Sequence, residues 1–158
     1  MELSKVTALS KTDKKEILDL WNNEYPENLN YQTLSGFENY LENLTEPSHI
    51  LMRSKTLGIK GWYVDFLREN EKWFILLLDS EYHGKGFGTK ILNLAKEKES
   101  ALNGWVIDKG NAKKKNGESY KSPLNFYLKN GFEKLANVRL ELEKLAAVKI
   151  RWKNKDGH

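Results

Sequence analysis

The stretch Leu78-Asp-Ser-Glu-Tyr-His-Gly-Lys-Gly-Phe-Gly-Thr89 holds the chain's glycine cluster, and the segments on its two sides differ in period. Upstream, Trp73-Phe-Ile-Leu-Leu-Leu78 is apolar without alternation, which predicts a central strand covered on both faces. Downstream, Phe87, Ile91, Leu92 and Ala95 fall on one face of a helix reaching Glu99. A strand, a glycine turn and a helix together present backbone N–H groups and a helix dipole to an anion. Three alternating glycines, Gly84, Gly86 and Gly88, cost conformational entropy unless the backbone must be approached closely, and Lys85 and Lys90 add positive charge. The even spacing excludes two nucleotide motifs. The segment lacks the Gly-Lys-Ser/Thr of a Walker loop, and G-x-G-x-x-G does not fit.

Before this segment, Val6 to Leu9 reads as a first strand. Thr12 and Asp13 offer caps for a helix, with Glu16 placed for a capping box and with Ile17, Leu20, Trp21 and Tyr25 at helical spacing before Pro26. A second helix begins near Ser35, where Ser35 and Glu38 have capping-box spacing; Phe37, Leu41 and Leu44 line it and Pro47 closes it. His49 to Arg53, Leu57 to Leu67 and Lys72 to Leu78 read as strands joined by short polar hairpins. Beyond the glycine helix come a strand at Trp105 to Asp108 and a polar loop from Lys109 to Lys121. A short helix starts at Ser122-Pro123 and is capped by Gly131, and two strands follow, Phe132 to Leu142 and Ala147 to Trp152. The order β-α-α-β-β-β-α-β-α-β-β predicts an α/β chain (α+β mixed) of one domain, residues 1–158, with a mixed sheet and helices on both faces.

The 158 residues include 26 basic and 22 acidic side chains, unevenly placed. Residues 1–79 carry 9 basic and 13 acidic groups, and residues 80–158 carry 17 and 9. The sign changes at the glycine cluster, which points to an anionic ligand for the second half. With no cysteine, a disulfide scaffold, a thiol nucleophile and cysteinyl zinc sites are excluded. His49, His83 and His158 have no metal-ligand spacing, so no metal is expected. Met1 to Ser10 lacks the apolar core of a secretory signal, and Trp73 to Leu78 is far shorter than a membrane span of about 20 residues. A soluble, cytoplasmic protein is the expectation.

Leu78 to Thr89 resembles the acetyl-CoA motif of the GCN5-related N-acetyltransferases (GNAT family), R/Q-x-x-G-x-G/A, with Gly86 and Gly88 on its two small residues. Phe126-Tyr127-Leu-Lys-Asn-Gly131-Phe132 is similar to that family's second recurrent segment, and the element order also matches. The resemblance implies a mostly antiparallel sheet of about seven strands and acetyl-CoA as co-substrate. It places backbone groups of Leu76 and Leu78 on pantetheine, and His83, Gly84, Lys85, Gly86, Phe87, Gly88 and Thr89 on the pyrophosphate. Tyr127 falls on the tyrosine that protonates the departing thiolate, a role suited to a phenol of reference pKa near 10. His83 stands where the family has Arg or Gln, and Tyr120 stands where many members have Asn. Asn111, Asn116 and Asn125 remain alternatives for that Asn.

The implied reaction is acetyl transfer from acetyl-CoA to a primary amine by direct attack in a ternary complex. Backbone N–H groups near Leu77 and Leu78 are the expected donors to the thioester carbonyl. Asp79, Glu81 and Asp65 are the carboxylates considered as base, with none singled out. Glu24, Glu27, Glu38, Glu42 and Glu46 fit either a cationic acceptor or a solvated helix face; Tyr25, Tyr31, Tyr40 and Trp62 fit either an acceptor pocket or core. Lys113-Lys-Lys115 reads as a solvated run or as a contact to CoA. The expected partner is a small-molecule or peptide amine, with no nucleic acid and no membrane, for a monomer or homodimer. Two alternatives are kept: a non-catalytic CoA-binding sensor or subunit, and a basic nucleic-acid-binding module.

Overall fold

The computed structural model describes residues 1–155, so His158 lies outside the described residues. Its elements follow the predicted order, and the differences lie at the boundaries. β1 (Glu2–Val6) ends where Val6 to Leu9 had been expected to begin a strand, because the chain must turn to start α1 (Lys11–Glu24). The capping box is Ser10–Asp13, not Asp13–Glu16: Ser10 Oγ accepts the Asp13 N–H (3.0 Å) and Asp13 Oδ2 accepts the Ser10 N–H (3.1 Å). Glu16 instead accepts the Ile59 N–H (3.3 Å) and ties α1 to the sheet. α2 (Leu34–Glu42) is capped by Thr33, which accepts from the Gly36 N–H, in place of Ser35. Pro47 lies within β2 (Thr45–Ser54), at a register shift where no ladder N–H is required, and does not close the helix.

β3 (Gly58–Arg68) and β4 (Glu71–Leu78) complete the hairpins. After α3 (Phe87–Lys96) come β5 (Ala101–Gly110), α4 (Leu124–Lys129), β6 (Glu133–Glu141) and β7 (Leu145–Lys153). α4 begins one residue later than Ser122-Pro123 suggested. Pro123 is its cap residue, and Ser122 Oγ accepts the Leu124 N–H. The seven strands form one sheet in the order β1-β2-β3-β4-β5-β7-β6. One core joins α1 and α2 to one face through Ile17, Trp21, Phe37, Trp62 and Leu77. A second core joins α3 and α4 to the other face through Ile91, Leu92, Phe74, Tyr127 and Phe132. No helix among the described residues is long and apolar enough to cross a membrane.

β4 and β5 are the only parallel neighbours, and they meet at one register point, Trp73 opposite Asn103. β4 stays paired to β3 along its length and β5 to β7, so beyond that point the two strands part. The meeting point is clasped by buried Asn103. Its Nδ2 donates to the Lys72 carbonyl (3.0 Å), and its Oδ1 accepts from Arg151 Nε (2.9 Å), whose Nη2 pairs with Glu71 (3.1 Å). Elsewhere in the core, Trp62 Nε1 donates to buried His49 Nδ1 (3.0 Å), which requires a neutral ring.

Two outcomes follow for stability. Asn103→Ala removes both clasp bonds and is expected to cost about 2 kcal/mol, lowering the melting temperature by roughly 4–8 °C. Burial pushes the His49 imidazole down to about 4. Unfolded His49 takes up a proton near pH 6.5 and the folded residue only near 4, so in this window the unfolded chain binds more protons. Stability from this residue is complete above pH 6.5 and falls by up to about 3 kcal/mol as the pH drops towards 4. Denaturant titrations across that range should show the decline, and His49→Gln, which keeps an acceptor without titrating, should flatten it.

Candidate functional site

The parting of β4 and β5 opens a wedge through the sheet. Asp79 donates its N–H to the Lys60 carbonyl (2.9 Å). By the alternation of an antiparallel ladder, Leu77 and Ile75 then turn their backbone groups to β3, while Leu78 and Leu76 turn theirs into the wedge. Leu76 and Leu78 thus lie on the edge of β4 that faces the wedge. The Leu77 amide is not available to a thioester carbonyl, because it belongs to the β3 ladder opposite Trp62.

At the end of β4 the chain makes a short 3-10 turn, Ser80–Tyr82, and then the glycine turn. Gly84 and Gly86 have φ of +73° and +86°, with open space where a Cβ would stand. Gly86 caps α3 without a side chain, and the first bond into the helix is Lys90 N–H to the Gly86 carbonyl (3.1 Å). The N–H groups of Gly84, Lys85, Gly86, Phe87, Gly88 and Thr89 find no acceptor among the described residues. Together they form a cationic nest at a helix N-terminus. His83 is engaged within the turn itself. Its N–H donates to the Ser80 carbonyl (3.2 Å) and its Nε2 lies 2.7 Å from the Leu78 carbonyl oxygen, so both groups are used within the turn. Gly88 is needed for a different reason from the other two glycines: a Cβ there would stand 2.8 Å from Phe126 Cζ, so it lets α4 pack on α3.

The wedge holds a cavity of about 300 Å³ that reaches both faces of the sheet. Trp21, Tyr25, Tyr40, Trp73 and Trp105 line it on the α1–α2 side, and Phe74, Leu76, Val106 and Tyr127 on the other. Tyr127 is 6% exposed and packs edge-on against Phe74, Phe126 and Phe132. Its hydroxyl bonds to nothing among the described residues, and burial pushes its pKa up, so the phenol keeps its proton. Burial also raises Tyr25, and it raises Tyr120 to about 12 with help from the Glu24 charge. A larger cavity of about 540 Å³ lies at the far end of α3. Its carboxylate Asp65 is already bonded to the Tyr63 hydroxyl (2.9 Å) and Lys72 (3.3 Å), and the glycine turn does not line it. The wedge is therefore the candidate site.

Several residues considered from sequence stand elsewhere. Asp65 faces that second cavity, Asp79 pairs with Lys60 (3.6 Å) and Glu81 is exposed; none lines the wedge. Asn111, Asn116 and Asn125 do not line it either, whereas Tyr120 does. Tyr25 and Tyr40 are cavity walls, but Trp62 is fully buried core and Tyr31 packs beside it in that core. None of the five glutamates of the first half lines the cavity. Glu24 is held between the Ser80 N–H (3.1 Å) and Lys114 Nζ (3.3 Å). Lys114 is accordingly a buried partner and not part of a solvated run; with Glu27 N–H donating to the Lys113 carbonyl (2.8 Å), it fastens the 109–121 loop against α1. Trp73, Trp105 and Arg68 escaped sequence reading as site residues, since in strands they look like core or surface.

No protein-family profile matches the chain, and no curated protein is similar to it in sequence. Solved structures are similar in fold. The aminoglycoside 6'-N-acetyltransferase complexed with coenzyme A superposes with a TM-score of 0.71 over 97% of this chain and 97% of that one, at 12% identity. A phosphinothricin acetyltransferase of the GNAT superfamily from Sinorhizobium meliloti, in complex with AcCoA, gives 0.67 over 99% and 91%, at 12%. A variant of spermidine N-acetyltransferase from Vibrio cholerae gives 0.65 over 97% and 95%, at 16%. The chain has the GNAT fold, as its two motifs implied.

The Gly88–Phe126 contact is directly testable. Gly88→Val should lower unfolding free energy by about 1–3 kcal/mol through overpacking. Combining it with Phe126→Ala should cost less than the two single changes added together, because the ring that clashes is gone.

Proposed function

We propose that this protein is an acetyl-CoA-dependent N-acetyltransferase acting on a primary amine by direct attack in a ternary complex. The observation that carries this reading is the juxtaposition of two backbone surfaces that face open space, with the Leu78 carbonyl alone held by His83. The strand edge at Leu76 and Leu78 opens into the wedge, and it runs into six free amides from Gly84 to Thr89. An extended amide-bearing arm ending in a diphosphate suits both at once, and Lys85 and Lys90 add charge where the diphosphate would lie. Acetyl-CoA has that chemistry and supplies an activated acetyl thioester. The solved GNAT-fold structures with coenzyme A or AcCoA support the same reading.

Within it, the Leu76 backbone groups and the Leu78 N–H bind the arm, and the Leu78 N–H is the donor nearest the end of the strand. As the C–N bond forms and the C–S bond breaks, the Tyr127 hydroxyl, protonated and unbonded, donates its proton to the departing thiolate, and the proton shed by the acylated nitrogen restores the phenol. No carboxylate or imidazole lines the cavity to serve as base. Loss of hydration in the enclosed cavity disfavours an ammonium, so the amine loses its proton to water on entry and attacks as the neutral form.

Acetyl-CoA at a hundred times its dissociation constant should stabilise the fold by about 2.7 kcal/mol, read as a rise in melting temperature that NAD and ATP do not reproduce. Gly86→Glu, which forces a side chain and a negative charge into the nest, should abolish that rise. Tyr127→Phe should keep the rise while thiol release with amine falls by roughly 10²–10⁴-fold. A wild-type protein that binds acetyl-CoA but releases no thiol with any amine would instead be a sensor or subunit.

A further inference from the structure

The wedge cavity has an unusual charge inventory. Its titratable wall residues are four phenols, which keep their protons, and one permanent charge, Arg68. Three of the four arginines are engaged by carboxylates: Arg53 by Asp13, Arg139 by Asp108 and Arg151 by Glu71. Arg68 makes no hydrogen bond or ion pair among the described residues. Arg68 is an exposed residue whose guanidinium lies over the faces of Phe66 (5.0 Å) and Trp73 (5.4 Å), which leaves its donors free at the rim of the cavity. Trp73 carries the second sign. The residue is 6% exposed and lines the cavity, yet its buried Nε1 has no acceptor, one of two such side-chain atoms among the described residues. That nitrogen is closed to solvent, so what Trp73 presents to the cavity is its indole face, with the Arg68 guanidinium against it. Lys149 Nζ stands over the same indole (5.0 Å), and its acid, Glu71, is 4.0 Å away and shared with Arg151.

Resting on the acetyltransferase reading above, we infer that the acceptor is a primary amine on an apolar, aromatic-sized body that ends in a carboxylate or comparable compact anion. Arg68 receives the anion, and the body lies among Trp21, Tyr40 and Trp105. The amine end lies by Leu76 and Tyr127. Trp73 and Leu76 are three residues apart, so the two ends of the acceptor are separated by about 10 Å at strand rise. A polyamine or aminoglycoside would place a second cation against Arg68 with no carboxylate on the wall to offset it.

Three amines sharing one ring test this: para-(aminomethyl)phenylacetate, para-methylbenzylamine and para-xylylenediamine, whose far ends are anionic, neutral and cationic. Thiol release from acetyl-CoA should give kcat/KM at least tenfold higher for the anionic amine than for the neutral one, with the diamine lowest. Arg68→Gln should bring the anionic amine down to the neutral level. Arg68→Glu should turn the preference towards the diamine. In both variants the acetyl-CoA melting shift should persist, as Arg68 stands at the far end of β4 from the glycine turn. Preference for the diamine or spermidine by the wild type, or a ranking unmoved by Arg68→Gln, overturns the inference and leaves the acetyltransferase reading intact. Quenching of tryptophan emission by the same amines separates the two failures. Arg68-dependent quenching by the anionic amine in a protein that ignores acetyl-CoA would keep the ligand class and sink the transferase; no quenching by any of the three sinks the inference.

Discussion

The single contact between parallel β4 and β5, Trp73 opposite Asn103, is the constraint on which the rest depends. A sheet that stayed zipped along both strands would satisfy its backbone groups and have no opening. The Asn103 clasp to Lys72 and Arg151 holds the strands together at one end, so that their divergence appears entirely at the other. The cost of the opening is borne by backbone groups of Leu76 and Leu78 left without a strand partner. Those groups become the binding edge, and the glycine turn that follows extends it with more unsatisfied N–H groups. Strand edges left open are ordinarily a liability, but this one is shielded within the sheet by the walls of the wedge.

Those walls come from distant parts of the chain, and their attachment is polar. Glu24 at the end of α1 holds the Ser80 amide and the Lys114 ammonium together, with both side chains of the pair only about a tenth exposed. Removing either partner would leave a buried charge uncompensated, so the pair chiefly specifies where the 109–121 loop lies. That loop then supplies Tyr120 to the cavity beside Tyr25 and Tyr127. These three phenols line one cavity and burial makes all of them resist ionisation, so the wedge presents protonated donors.

The charge asymmetry of the sequence takes on a narrower meaning here. The basic half does begin at the anion nest, with Lys85 and Lys90 beside it. The acidic half does not supply an acidic pocket: Glu24 is consumed in holding the loop and Glu38 in pairing with Lys14, and neither lines the cavity. The charge that does line it is a cation, Arg68, contributed by the half whose net charge is negative.

What the sequence by itself determined is the set of elements and the glycine cradle. Apolar period separates strands from helices locally, and Gly84 and Gly86 are tied to left-handed turns by their own backbone, so both are legible without neighbours. Cap residues shifted by two or three positions, from Asp13 to Ser10 and from Ser35 to Thr33, because several Ser, Thr and Asp in each segment can cap and packing selects one. Only the tertiary structure decided which groups face the wedge. The backbone direction of Leu76, Leu78 and Leu77 follows from one long-range bond, Asp79 to Lys60. The place of Tyr120 in the cavity and the engagement of Lys114 by Glu24, 90 residues away, depend on which side chains meet across long stretches of chain, and no local pattern carries that information.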